Sequence, residues 1–327
     1  MVKKEEMGTI LGVDLGFVQT KAVGDNWKTK FRSIVKPRSE VVVSGLADAE
    51  GFLVEYKDEV YNVGSKGSYD FNADRLTQST DMAKLLSVFG QYQHDTSVAV
   101  IEMLVTGLPV YEFNIYKDTL RDNIQTMFQY KFNGTKRLLN VQEAIVIPQS
   151  AGAFYDYILD EEGEPNDNPL AKENVLSLDI GGRTSDGCIM EASRYSQDSF
   201  TIFKGVWKAQ NELRKYVMKE FRYALQPYEV DVVMRTNTLM LNNESHNVKE
   251  LVYKAVASAY PEMRDELSLY IDDYRRFATI LLAGGGAYVF HDFLDEDIRT
   301  PIIVMEEAEY ANASGNRKYG KLLSKNR

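Results

Sequence analysis

Residues 174–186 read Asn-Val-Leu-Ser-Leu-Asp-Ile-Gly-Gly-Arg-Thr-Ser-Asp, an apolar strand pattern that closes on Asp179-Ile180, two glycines, two hydroxyls and a second acid. Apolar character resumes at Gly187–Met190, so the stretch is expected to form a strand, a polar turn and a returning strand. A glycine-rich hairpin explains Gly181 and Gly182, but not why an Asp should end an otherwise apolar strand. The same theme opens the chain, where Thr9–Val13 runs into Asp14-Leu15-Gly16 and Thr20–Val23 returns. The strand-Asp-x-Gly echo, at Asp14 and again at Asp179, is the signature of a duplicated half-domain. No short-period repeat or low-complexity tract competes with it.

Between the two turns the pattern alternates strand and helix. Phe52–Tyr56 and Glu59–Val63 read as a strand pair around Lys57-Asp58, and Val98–Thr106 as a buried strand ending at Gly107-Leu108-Pro109. A helix is expected at about Tyr111–Gln129 and a strand at about Leu138–Ile147, before Pro148. Glu161–Asn168, dense in acids, Gly, Pro and Asn, is the clearest linker. Trp207–Tyr274 reads as mainly helical, with Leu213, Tyr216, Val217 and Phe221 at helical steps, and Thr279–Ala283 as another buried strand running into three glycines. The class is α/β. The expected domains are residues 1–170, joined by a C-terminal helix at about 300–327, and residues 171–300.

With 327 residues, 44% hydrophobic and 26% charged, the chain is too long for one compact core. It lacks the roughly 18 unbroken apolar residues of a membrane span, and Met1–Met7 lacks the apolar core of a signal peptide, so a soluble cytoplasmic protein is expected. Cys188 is the only cysteine and there are three histidines, which disfavours cysteine chemistry and structural zinc. The net charge of −10 is spread along the chain and argues against direct binding to nucleic acid or membrane. Arg317, Lys318, Lys321, Lys325 and Arg327 form a basic run expected to be the solvated face of a terminal helix.

A hairpin turn after a buried strand can aim several backbone N–H groups at one anion, and Gly16 permits close approach of a phosphate. Asp14 can hold a hydrated Mg²⁺, and Lys21 can supply a point charge. The alternative for this turn alone is a tight hairpin with a solvated acid. At Leu281-Leu282-Ala283-Gly284-Gly285-Gly286-Ala287 a strand enters a helix through glycines that leave room for a flat ring. The spacing matches neither a dinucleotide fingerprint nor a P-loop. Gln149, in Val146-Ile147-Pro148-Gln149-Ser150-Ala151-Gly152-Ala153, can orient an attacking water or can simply cap the helix that follows.

In this order the segments resemble the five-part nucleotide site of the actin superfamily: phosphate 1 at Asp14, connect 1 at Gln149, phosphate 2 at Asp179, adenosine at Gly284 and connect 2 at Ala308–Gly315. The resemblance spans Ile10 to Gly315. It implies the actin-like, ribonuclease H-like duplicated fold, with a nucleotide cleft between two domains. Tyr61-Asn62-Val63-Gly64-Ser65, Ile147–Gly152 and Tyr310-Ala311-Asn312-Ala313-Ser314-Gly315 are most similar to the ParM-type plasmid-partitioning proteins. That likeness implies a filament driven by ATP or GTP with Mg²⁺, an ATPase or GTPase activity coupled to assembly, head-to-tail self-association, and a DNA-bound centromere adaptor.

By residue, it implies Asp14 and Asp179 holding the metal through water and Gln149 orienting the attacking water. Phosphates would meet Gly16, Phe17, Val18, Gln19 and Lys21 in one turn and Gly181, Gly182, Arg183 and Thr184 in the other. Gly284, Gly285 and Gly286 would meet the adenosine, and Lys204 either joins them or lies in a plain loop. Phe17 and Val18 replace the Ser or Thr of many relatives, so the first turn relies on backbone N–H groups, Gln19 and Lys21. The short chain argues against the larger sugar kinases and heat-shock chaperones. The rival reading is a non-polymerising small-molecule kinase, with Asp186 as the candidate base.

Overall fold

The computed structural model describes residues 9–37, 51–65 and 79–326, so the readings at Met1–Met7 and Arg327 lie outside the described residues. The chain divides into two compact units, one comprising Met1–Asn168 and Tyr310–Arg327, the other Pro169–Glu309.

The first unit contains β1 (Ile10–Leu15), β2 (Gln19–Gly24), β3 (Trp27–Arg32), β4 (Val35–Pro37), β5 (Phe52–Tyr56), β6 (Glu59–Val63), α1 (Ser79–Thr96), β7 (Val100–Leu108), α2 (Val110–Ile124), β8 (Met127–Phe132), β9 (Thr135–Pro148) and α3 (Ala151–Ile158). A C-terminal helix, Ala311–Lys325, returns to it. Among the described residues the strands form one sheet in the order β3-β2-β1-β7-β9-β8-β5-β6-β4. Burial at every position puts β1 in the sheet centre, antiparallel to β2 and parallel to β7, which is in turn parallel to β9. Leu11, Val13 and Leu15 enter the core with Leu86, Phe89 and Leu104. On the alternate face the C-terminal helix lies so close that a Cβ at Gly12 would strike the backbone of Ala313 and Arg317.

Two expectations for this unit need correction. Helix α2 stops at Ile124 rather than near Gln129, because Phe128, Tyr130 and Phe132 follow a period of two and point inward from β8. The two-residue turn Asn133-Gly134, with both φ positive, folds that strand back onto β9.

The second correction is electrostatic. Arg317, Lys318 and Lys321 are not a solvated face but are buried. Arg317 reaches Asp25 at 2.6 Å and Glu161 at 2.8 Å, Lys318 reaches Asp156 at 2.8 Å, and Lys321 reaches Asp25 at 2.9 Å. Lys325, paired with Glu164 at 2.6 Å, lies toward solvent. Buried cations persist only when paired, and the acids that pair them come from distant segments.

Burial pushes the Asp25 carboxyl up, but hydrogen bonds from Arg317 and Lys321 outweigh it and hold the group below its ordinary value. Glu161 is lowered in the same way, with burial opposed by Arg317 and Lys318. Because both folded-state pKa values are depressed, this stabilisation is present above the unfolded carboxylate range of about 4 and is lost as pH falls through the lower folded values. Arg317→Ala should destabilise the unit by about 2 kcal/mol at pH 7, a low figure for a buried pair because both acids are partly exposed. The gap in melting temperature between wild type and variant should narrow on acidification below about pH 4. A constant gap would remove the ion pairs as its cause.

The second unit contains β10 (Asn174–Ile180), β11 (Ser185–Glu191), β12 (Arg194–Tyr195), β13 (Phe200–Ile202), α4 (Trp207–Phe221), α5 (Pro227–Thr236), β14 (Thr238–Leu241), β15 (Glu244–Asn247), α6 (Lys249–Leu267), β16 (Thr279–Ala283), α7 (Ala287–Asp297) and β17 (Ile302–Val304). The long helical span expected from Trp207 is therefore three helices interrupted by the β14–β15 hairpin, which turns at Asn242-Asn243 with both φ positive. Gln226 and Glu229 form a reciprocal cap at the start of α5, with Pro227 in its first turn. The main sheet runs β12-β11-β10-β16-β17, with β13 also on β11.

The duplication is visible in the pairing. In the first unit β1 lies between antiparallel β2 and parallel β7, with β9 parallel beyond. In the second, β10 lies between antiparallel β11 and parallel β16, with β17 parallel beyond. Asp14 and Asp179 occupy the same place, one residue before the end of the central strand. No helix among the described residues is long and apolar enough to cross a membrane.

Candidate functional site

In the first unit, the hairpin of β1 and β2 sets Asp14 directly opposite Lys21. Asp14 is 2% exposed, and its Oδ2 accepts from Lys21 Nζ at 3.0 Å. Its Oδ1 accepts from Gln149 Nε2, also at 3.0 Å. Gln149 arrives there because β9 runs parallel to β7 and its own N–H bonds the Leu108 carbonyl at 2.7 Å. Gly107 is needed for this crossing, since a Cβ there would lie 2.7 Å from Gln149 Cα. Ser150 occupies the cap position of α3, and the Gln149 side chain bonds the Asp14 carboxylate.

The turn carrying Gly16, Phe17, Val18 and Gln19 is held from β3's far end. Ser33 Oγ donates to the Gly16 carbonyl at 2.6 Å, Ser33 N–H bonds the Val18 carbonyl at 2.9 Å, and Thr20 Oγ1 lies 2.9 Å from Ser33 Oγ. Sequence reasoning missed Ser33, which follows β3 with no motif to mark it. The C-terminal helix adds two ties: Asn316 Nδ2 donates to the Val13 carbonyl at 2.9 Å, and Asn312 Oδ1 accepts from Ala153 N–H at 3.2 Å.

In the second unit, the turn Gly181–Thr184 closes with Gly181 N–H on the Thr184 carbonyl at 2.9 Å. The start of α4 is latched to it: Val206 and Trp207 N–H groups bond the Gly181 and Gly182 carbonyls at 3.1 and 2.9 Å, and Ser185 Oγ bonds the Lys204 carbonyl at 2.7 Å. Gly205 allows this, because a Cβ there would lie 2.7 Å from Gly182's backbone. The Lys204 ammonium faces α6, 3.4 Å from Glu262 and 3.3 Å from Glu266. Burial works against its charge, but hydrogen bonds to Glu266 and Glu262 prevail and raise its pKa.

Asp179 is buried and opposes Asp186 across the β10–β11 ladder. The glycines after β16 pack onto the same strand. Gly286 N–H bonds the Ile180 carbonyl at 2.8 Å and Gly284 N–H the Ala308 carbonyl at 2.8 Å. Gly284 has φ +82°, and a Cβ on it would lie 2.6 Å from the Ile180 oxygen. A Cβ on Gly285 would meet nothing within 4 Å, so the open side of this bend is there. Asp186 itself is buried and accepts from Thr201 Oγ1 at 2.5 Å.

Each unit thus gathers its own set: Asp14, the first turn, Lys21 and Gln149 in one, and Asp179, the second turn, Arg183 and the three glycines in the other. No group of three or more His, Cys, Asp or Glu side chains among the described residues forms a cage for a metal. Both Asp14 oxygens already accept from a cation or an amide. A protein-caged ion does not fit this donor set, whereas Mg²⁺, which keeps several waters and takes only one or two carboxylates beside phosphate oxygens, does.

Comparison with known proteins follows the same division. Residues 12–152 match the model for actin-like protein N-terminal domains, and residues 177–296 that for the C-terminal domain of archaeal MreB-like actin homologues. No curated protein sequence matches the chain. Among solved structures, actin-like protein Alp7A superposes with a TM-score of 0.81 at 16% identity, over 98% of each chain. Ta0583, an archaeal actin homologue in complex with ADP, gives 0.76 at 16% identity, over 94% of this chain and 98% of that one. A subunit of a 15-stranded ParM filament from Clostridium botulinum gives 0.71 at 20% identity, over 96% and 99%. With N- and C-terminal actin-like domains matched in order on a duplicated two-unit fold, the chain belongs to the actin-like ATPase superfamily.

Proposed function

We propose that this protein is a nucleotide-driven polymerising ATPase whose filament moves plasmid DNA through a DNA-bound centromere adaptor. The carrying observation is the repeated placement of a buried Asp one residue before the end of a central strand, each beside a glycine turn. Two such turns suit a polyphosphate and its hydrated Mg²⁺, with Asp14 and Asp179 as carboxylates for the metal's water shell. The bound ion would screen charge on the phosphates. This chain's residues supply the rest. Gly16, Phe17, Val18, Gln19 and Lys21, with Gly181, Gly182, Arg183 and Thr184, bind phosphate, Gly284, Gly285 and Gly286 receive the adenosine, and Gln149 orients water. Lys204 is best read as a brace between its loop and α6, given its two acidic partners.

Assembly is supported by the filament-forming proteins among the structural neighbours, including the 15-stranded ParM filament. A single chain that repeats a heterologous contact forms a filament when the rotation does not close. The kinase reading is weakened by Asp186, which is buried and bonded to Thr201 rather than presented to an acceptor hydroxyl. Adding ATP and Mg²⁺ should raise light scattering above a critical protein concentration, with phosphate released in parallel and filaments visible by negative stain. If the ATP-loaded protein stays monomeric at high concentration and phosphorylates a small alcohol, the kinase reading replaces this one.

A further inference from the structure

The buried carboxylate of Asp14 accepts from Lys21 on one oxygen and from Gln149 on the other. Given that Gln149 orients the attacking water, as proposed above, we propose that Asp14 is the positioning residue that decides which way the Gln149 amide faces. A carboxylate only accepts, so the group turned toward it must be the glutamine NH₂, and the amide carbonyl is turned away from it. A carbonyl is what a nucleophilic water needs, because it accepts a water proton and leaves the oxygen lone pair directed at phosphorus. With the opposite orientation the amide would offer N–H to that lone pair and compete with attack.

Lys21 makes the choice one-sided. Its ammonium can only donate, and it sits 3.0 Å from Asp14 Oδ2. In the Asp14→Asn variant, the new amide would have to give its oxygen to Lys21 and its NH₂ to Gln149. Gln149 would then have to turn its own carbonyl inward and its NH₂ outward. An isosteric change at residue 14 thereby reverses an amide that lies 135 positions away in sequence. In the Gln149→Glu variant the native Asp14 would face a second carboxylate, and the two would repel. With both substitutions present, the carboxylate at position 149 would accept from the amide NH₂ at position 14 and keep an oxygen for water.

The test is the exchange series D14N, Q149E and D14N/Q149E, measured as phosphate release at saturating ATP–Mg²⁺, with melting temperatures to confirm folding. Each single variant should be slowed roughly 10-fold or more, because a misplaced water forfeits orientation. The double variant should be faster than D14N alone, since both lack the Asp14 carboxylate at the metal's water shell but only the double variant again presents an oxygen to water. A carboxylate acting only on the metal cannot be restored by a change at 149. D14N at the wild-type rate, or a double variant no faster than D14N, would overturn the inference. The ¹H–¹⁵N signals of the Gln149 NH₂ give a readout without turnover: wild type should show one carboxylate-bonded, slowly exchanging proton that D14N loses. If wild type releases no phosphate, the ATPase reading fails, while this spectrum still decides whether Asp14 orients the amide; unchanged Gln149 signals in D14N would reject it.

Discussion

Asp179→Ala is expected to reduce ATP turnover by roughly 10²-fold or more, the scale of loss when reacting groups are misplaced, while leaving the second unit folded. Asp179 sits one residue before the end of β10, inside a sheet whose register is set by seven residue pairs with β11 and five with β16. Removing one carboxylate leaves the ladder pairing of β10 with β11 and β16 in place. It also relieves the opposition of Asp186 directly across the ladder, so the strand pairing should survive. What disappears is the acid that the glycine turn presents beside Gly181 and Gly182. Single-turnover phosphate release with far-UV circular dichroism measures both halves of the expectation. A folded variant that hydrolyses ATP at the wild-type rate would remove Asp179 from the site.

The second large effect is structural. Gly284→Ala should destabilise the second unit by about 3 kcal/mol or more, because it adds two costs. An L-residue at φ +82° pays roughly 1–2 kcal/mol for the left-handed conformation. Its Cβ would also meet the Ile180 carbonyl oxygen at 2.6 Å, and backbone cannot rotate away as a flexible side chain can, so a further overpacking cost of about 1–3 kcal/mol follows. Gly285→Ala is the internal control, since its Cβ meets nothing within 4 Å. Urea titration should place the two variants far apart in midpoint at equal slope. If Gly284→Ala unfolds at the wild-type midpoint, the bend relaxes more easily than its packing implies. Gly285→Ala should keep its stability but bind nucleotide more weakly, because the open side of the bend is where a flat ring would lie.

Much of the fold was legible because its central strands advertise themselves locally. Burial on both faces makes a strand apolar throughout, so β10 and β16 read correctly to the residue, and alternating segments such as Phe52–Tyr56 and Glu59–Val63 did the same. The Asp-x-Gly echo marked the duplication because a tight turn and a buried acid are chemical requirements of a few adjacent residues. Adjacent requirements stay visible in one dimension. The end of α2 was not visible, because the aromatic residues of β8 continue the helix's apolar content and only pairing with β9 selects a period of two over 3.6.

The sequence by itself determined the α/β class, the two turns, the glycine bend after β16 and the position of Gln149 just past a strand end. Tertiary structure decided what those groups touch. Nothing local tells that Ser33 holds the first turn's carbonyls, that Asp14 meets Gln149, or that Asp25, Asp156 and Glu161 lie beneath the C-terminal helix. A cation's burial depends on whether its partner is near in space, and that partner here comes from as far as 292 residues away. The basic stripe of Arg317, Lys318 and Lys321 therefore looked solvated as a string of letters and became an interior ion network once the sheet and helix brought the acids to it.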